Sequence, residues 1–182
     1  MSAPEAARLA AGAEMAPAPD GINTHRGAIF SLGLLCAAAG AAGAQGGALD
    51  AARIRATLRD RWGDVLARRA TQPSALPGGQ ASLRHGLRSA SMEAALGFPV
   101  LFEVAFPALQ AGRHRGLPDT AARVDALFHV IAQLDDANLA HRGGPAGLRF
   151  AQRAAADFLA AGGMAAADGP RRAAAGGRAF GA

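Results

Sequence analysis

The sequence predicts an all-α fold, a single compact domain of about six helices, and three observations carry that prediction. Alanine supplies roughly half of the 51% hydrophobic residues, and no residue favours helix more strongly. Residues that favour strands are sparse; among 182 residues there is no Tyr and one Trp, Trp62. Apolar positions recur at helical spacing between Gly and Pro punctuation. A chain of this length can bury a real core. That core is assigned to residues 1–168, and the Gly, Ala and Arg tail at 169–182 is expected to be disordered.

The elements follow in order. Residues 3–16 read as a short Ala-rich helix closed by Pro17 and Pro19. A second helix starts near Asn23 or Thr24, both good N-caps, and runs to about Ala42. "GAQGG" at 43–47 is a flexible link. The third helix, about 50–69 with Asp50 as cap, carries Ile54, Leu58, Trp62, Val65 and Leu66 as an apolar stripe. Arg53, Arg59, Asp60 and Arg68 lie on its solvated face. "TQPSALPGGQ" at 71–80 reads as a loop, and "RSASMEAAL" at 88–96 as a short helix stopped at Gly97-Phe98-Pro99. Within the apolar 100–112 segment, Pro107 should kink or split any helix. After a polar turn at 112–119, a fifth helix runs from Asp119 to Leu139 or beyond. Pro145 suits the first position of a sixth, which Gly162-Gly163 should stop near Ala161.

Charge and cysteine content narrow the function classes. All 19 basic residues are Arg, and the net charge is +5. This suits a polyanionic small molecule or an acidic partner, while the shortage of aromatics to stack on bases argues against nucleic acid. Cys36 is the one cysteine, so no internal disulfide or thiolate cluster can form, which fits a reducing cytoplasm. Residues 1–20 lack the basic start and apolar centre of a signal peptide. Gly27–Leu49 is uncharged and long enough to span a bilayer. Its strongly apolar residues are only Ile29, Phe30, Leu32, Leu34 and Leu35, which favours a buried helix, with Cys36 in the core, over a membrane anchor.

Two places put polar groups where chemistry could use them. On the fifth helix, Val124, Leu127, Phe128, Ile131 and Leu134 define one face. At about 100° per residue Asp135 and Asn138 fall on it, Arg142 also if the helix continues, and Asp136 lies on its flank. A buried carboxylate needs a metal, a cation or a ligand, and Asp and Asn oxygens suit Mg²⁺. Equally, the helix could leave the core near Asp135, with Asn138 capping its end. At the second helix, free N–H groups and the helix dipole attract anions. There Asn23, Thr24, His25 and Arg26 supply donors, although a capped helix with a solvated Arg reads as well. Arg142 beside Gly143 and Gly144 is a second such arrangement. His85, His114 and His129 show no ligand spacing, and no Ser/His/Asp or Cys/His triad is visible.

"GINTHRGAIFSLGLLCAAAG", "RHGLRSASMEAALGFPVLFEVAFPAL" and "LDDANLAHRGGPAGLRFAQ" together closely resemble the triphosphoribosyl-dephospho-coenzyme A synthases, which serve citrate lyase and malonate decarboxylase. The blocks lie in the family's order across roughly residues 21–160, and the middle one has the malonate decarboxylase form. The resemblance implies a helical, cytoplasmic transferase using ATP and 3′-dephospho-coenzyme A, with release of adenine. Its product is destined for an acyl carrier protein. The resemblance implies Asp135 and Asp136 for a Mg²⁺ ion or the general base, Asn138 for orientation, and Glu93 as a further carboxylate. Asn23, Thr24, His25, Arg26, Arg142, Gly143 and Gly144 would contact the nucleotide. It leaves oligomeric state open and calls for no membrane.

The family's Pro-Gly-Leu-Val-Asp, Gly-Ala-His…Asp-Met-Asp and Asn-Leu-Ser-Pro-Gly-Gly-Ser-Ala-Asp-Leu-Leu motifs have no counterpart before Gly21 or in "DGPRRAAAGGRAFGA". The chain is therefore expected to correspond to the middle of the enzyme, with a tail of unrelated composition and exposed apolar surface at 27–42 and 100–109. The competing expectation is a non-catalytic helical remnant that binds a partner or a membrane.

Overall fold

The computed structural model describes residues 26–181. They form eight α-helices and no strand. In chain order these are α1 (Arg26–Gly43), α2 (Ala51–Ala70), α3 (Pro77–His85), α4 (Ala90–Ala95), α5 (Phe106–His114), α6 (Asp119–Gln133), α7 (Ala137–Ala160) and α8 (Gly169–Gly181). A π-helical segment, Val100–Ala105, precedes α5, and a 3₁₀ turn, Gly163–Ala165, precedes α8. The all-α expectation holds, with more helices than six. The expected first helix, at residues 3–16, lies outside the described residues.

The helices gather into two compact units. The first contains α1, α2 and α4. The Asp50 carboxylate accepts the Arg53 N–H at 2.8 Å, the N-cap that the sequence predicts for α2. Leu58 is fully buried and Leu66 nearly so, while Ile54 and Trp62 are half-buried and Val65 is exposed. Burying Leu58 contributes about 1.5–3 kcal/mol. The α1 contribution is mainly alanine, Ala38 and Ala42, with Leu34. Its Leu32 faces out, as does Cys36, which the sequence had suggested for the core. Arg55 Nε donates to the Gly97 carbonyl at 3.0 Å, tying α2 to the end of α4.

The second unit contains α3, the π segment, α5 to α8 and the 3₁₀ turn. Its centre is Phe128 and Phe158, ring centroids 4.1 Å apart, packed with Ala155 and flanked by Val124, Ile131, Met164 and Ala173. The unit's second segment opens on Phe98, whose positive φ of 53° costs roughly 1–2 kcal/mol for a residue with a side chain. Burial of its ring, to 6% exposure, offsets that cost at about 1.5–3 kcal/mol. Pro107 splits the following helix as expected. With no N–H at 107, the turn widens and the Phe106 N–H reaches back five residues to the Leu101 carbonyl. Leu101 and Phe106 are exposed here.

Three expectations require correction. The 71–80 loop ends early, because Pro77 occupies the first turn of α3, a position that suits proline. The fifth helix stops at Gln133 rather than near Leu139. Leu134 and Asp136 have extended backbone, and a new helix begins at Ala137. The tail is helical from Gly169, not disordered: Pro170 sits in its first turn, and alanines, the strongest helix formers, follow. Gly169 is buried, and a Cβ there would collide with the Gly163 carbonyl. Ala173 packs on the phenylalanine cluster.

Candidate functional site

The break between α6 and α7 positions the acidic pair, and its geometry is local. Asp136 is the N-cap of α7: its Oδ1 accepts the Asn138 N–H at 2.7 Å and the Leu139 N–H at 3.2 Å. Asp135, one residue earlier, is free of that duty and is exposed. Because residues 134–136 leave the helix, the helical wheel that placed Asp135 and Asn138 on the face of Phe128 does not apply beyond Gln133.

Asp135 lines a cleft of about 250 Å³ between α3 and α7. Its polar walls are Asp135, His85, Arg149 and Gln152, and Leu148 and Pro145 form part of its apolar lining. Residues 145, 148, 149 and 152 share one face of α7 by spacing. Leu148 is the buried member, and Arg149 and Gln152 flank it. His85 is the last residue of α3. Gly86, at φ 64°, then turns the chain so that the Leu87 N–H closes on the Ser82 carbonyl and Leu87 joins the wall. Gln152 Nε2 donates to the Leu134 carbonyl at 3.1 Å and reaches Asp135 Oδ1 at 3.5 Å. The second contact is long and holds the carboxylate lightly.

The other expected residues are distributed as follows. Asn138 is exposed and sets its Oδ1 against Gly78 in the first turn of α3, where a Cβ would come within 3.2 Å of it. Arg142 and Gly143 are exposed on α7. Gly144, at φ 62° and ψ −174°, has a backbone essentially restricted to glycine. It breaks α7 so that Pro145 starts its longer part, the turn that "HRGGP" predicts. None of these residues lines the cleft with Asp135. Glu93 is half-buried on α4, in the first unit. Asn23, Thr24 and His25 lie outside the described residues, and Arg26 enters the description only as the first residue of α1.

Sequence reasoning did not bring His85, Arg149 and Gln152 together with Asp135, as the cleft does, and it passed over Asp125. That carboxylate is 2% exposed on α6. Its Oδ1 accepts the Met164 N–H at 2.7 Å, and its Oδ2 pairs with Arg115 Nη2 at 3.2 Å. Gly163 (φ 56°) passes so close that a Cβ would lie 2.6 Å from Asp125 Oδ1. The available signal was an aspartate set between Ala122 and Ala126, both buried.

Among the described residues, no three His, Cys, Asp or Glu side chains converge as a metal cluster, and no helix is long and apolar enough to cross a membrane. Comparison with protein families matches residues 7–180 to the CitG family, ATP:dephospho-CoA triphosphoribosyl transferase.

The chain belongs to this family.

The family match reaches beyond residues 21–160 at both ends and takes in most of the tail that had looked unrelated. Among curated relatives, a probable 2-(5″-triphosphoribosyl)-3′-dephosphocoenzyme-A synthase of Pseudomonas fluorescens strain Pf-5 is 42% identical over 156 residues, 84% of this chain and 50% of the relative. The synthase of that name from Klebsiella pneumoniae is 39% identical over 84% of this chain and 53% of its own length. The chain thus spans about half the length of the curated relatives it matches. No solved structure gives a significant match.

Proposed function

We propose that this chain carries out, at the α3–α7 cleft, the transfer named by its family: triphosphoribosyl transfer from ATP to 3′-dephospho-coenzyme A. The observation that carries this reading is Asp135, an exposed, lightly held carboxylate in a cleft, within a sequence block that resembles the synthases.

In this reading the 2′-oxygen of the dephospho-coenzyme A ribose bonds to the anomeric carbon of ATP's ribose. The bond from that carbon to adenine breaks, and the hydroxyl proton ends on the departing adenine. Asp135 accepts the proton in passing, or faces the positive charge that builds on the sugar. Asp136 is committed to capping through Oδ1, so its role is chiefly to fix the backbone beside Asp135. The donor set fits Mg²⁺, which takes one or two carboxylates and leaves its other positions to water and phosphate oxygens. As the alternative to its role toward the proton or the sugar, Asp135 with the second oxygen of Asp136 would hold the ion, which would neutralise the triphosphate. Asn138 orients the junction through α3. Asn23, Thr24, His25, Arg26, Arg142, Gly143 and Gly144 remain proposed nucleotide contacts, and Glu93 a proposed further carboxylate. The product would pass, in the cytoplasm, toward the prosthetic group of an acyl carrier protein, that of malonate decarboxylase by the form of the middle sequence block.

The test is adenine release from ATP and 3′-dephospho-coenzyme A with Mg²⁺, followed by chromatography. Asp135→Asn should lower the rate by about 10²–10⁴-fold with an unchanged circular dichroism spectrum, and chelation of Mg²⁺ should stop it. A wild-type chain that releases no adenine overturns the catalytic reading and leaves a binding protein.

A further inference from the structure

We propose that Arg149 and His85 form the phosphate end of the α3–α7 cleft, so that the cleft is the subsite for the phosphorylated ribose of the nucleotide. This deepens the transferase reading and rests on it for the identity of the sugar. Three observations lead here. The cleft carries a carboxylate on one wall and a guanidinium on another, yet no ion pair joins Asp135 to Arg149. Among the described residues the Arg149 and His85 side chains have no hydrogen-bond or ion-pair partner. Opposite charges that share a small cleft without neutralising each other are both available to a ligand. The ligand that answers them has an anionic group at one end and, at the other, an electron-poor carbon or hydroxyls.

The second observation is size. About 250 Å³ is below the roughly 300–1,000 Å³ of a complete small-molecule site, and suits one sugar with its first phosphate rather than two whole nucleotides. The third is placement. Arg142, the arginine that the sequence favours for phosphate, does not line this cleft. Arg149 does, and it lies on the same face of α7 as Gln152, which steadies Asp135. An arginine fork matches phosphate oxygens in two parallel hydrogen bonds. The half-buried His85, on the facing helix, adds a donor when protonated and an acceptor or donor when neutral.

Inorganic triphosphate with Mg²⁺ is the probe, titrated calorimetrically into the full chain. Arg149→Ala should weaken its binding by about tenfold or more, the loss of a charge-assisted hydrogen bond. Arg149→Lys should recover part of that, and His85→Ala should cost less. The Arg149 side chain is exposed and unpartnered among the described residues, so its variants should keep the wild-type circular dichroism spectrum. Triphosphate binding in Arg149→Ala as tight as in wild type overturns the subsite, as does a wild-type chain that does not bind the probe. The two readings separate in the adenine assay. If Arg149→Ala loses triphosphate binding while wild type releases no adenine, the anion subsite stands and the transferase reading falls. If wild type releases adenine and Arg149→Ala matches its kcat and KM for ATP, the subsite falls and the transferase reading stands.

Discussion

Asp125 and Asp135 stand ten residues apart at opposite ends of one stretch of chain, and the fold treats them in opposite ways. Asp125 is buried, and both its oxygens are engaged, one by the Met164 N–H and one by Arg115. Asp135 is exposed in a cleft and held by one long contact from Gln152. A buried carboxylate with both oxygens engaged is turned away from any ligand; it fastens the 3₁₀ turn to α6. An exposed carboxylate with open oxygens contributes little to folding and is free to meet substrate. In this chain the buried acid is the one tied into the packing, and the exposed one is left open on a cleft.

Substitution should separate the two. Asp125→Ala removes a charge-assisted hydrogen bond and strands the Met164 amide, and should lower stability by about 2–3 kcal/mol. Half of the Arg115 side chain is exposed, 53%, so water takes over its charge and the loss stays below that of a fully buried pair. Asp135→Asn should shift stability by less than about 0.5 kcal/mol. Urea titration of both variants decides the matter, and equal losses would end the distinction. Next in size is Gly163→Ala. Its left-handed backbone alone costs roughly 1–2 kcal/mol for a residue with a Cβ, and the added methyl would press on Asp125. If the clamp is the reason, Gly163→Ala and Asp125→Ala combined should destabilise less than the sum of the two.

Asp136 is the intermediate case, a carboxylate used locally. Asp136→Ala should cost about 1 kcal/mol as a lost N-cap, and Asp136→Ser should restore most of it. Thermal melts check the first effect. If Asp136→Ser regains stability while adenine release stays low, Asp136 has a role beyond capping.

What the sequence made legible follows from side-chain size. The stripe of α2, the Asp50 cap, the split at Pro107 and the stop at Gly162-Gly163 were all readable, because large apolar residues or strong punctuators mark them. The face of α6 was read correctly at Val124, Phe128 and Ile131, which join the core cluster, but not at Leu127. Leu127, placed in its apolar stripe, is 55% exposed, while Ala122 and Ala126 are buried. Gly112 fits against Ala122, its hypothetical Cβ only 3.0 Å from the Ala122 Cβ, so small residues let α5 and α6 approach and draw Asp125 inward with them. In a chain this rich in alanine, hydrophobic periodicity blurs because alanine occupies both faces. Asp135 was singled out by a helical wheel that does not reach it, since the helix ends at Gln133, and independently by the resemblance. The cleft that His85 and Arg149 line was not legible, because a wall assembled from two helices leaves no linear spacing to read.

Asp119 completes the comparison as an aspartate that is paired but not buried. It opens α6, where a negative charge suits the helix dipole. Its Oδ1 accepts from Arg113 Nε at 2.9 Å and from Nη2 at 2.6 Å, and its other oxygen pairs with Arg123. The Arg113 hydrogen bonds first, and then the charges of Arg113 and Arg123, hold its carboxyl below the ordinary 3.8. A folded-state pKa below the unfolded one means stability that is fully present above 3.8 and is lost as pH falls through the depressed value. Solvent screens this exposed cluster, so the effect should be the smallest of the series and should shrink further in salt. Melting temperatures of wild type and Asp119→Asn should therefore differ slightly at neutral pH and converge in acid. A difference that survives full protonation would assign the contribution of Asp119 to its place at the helix start rather than to its charge.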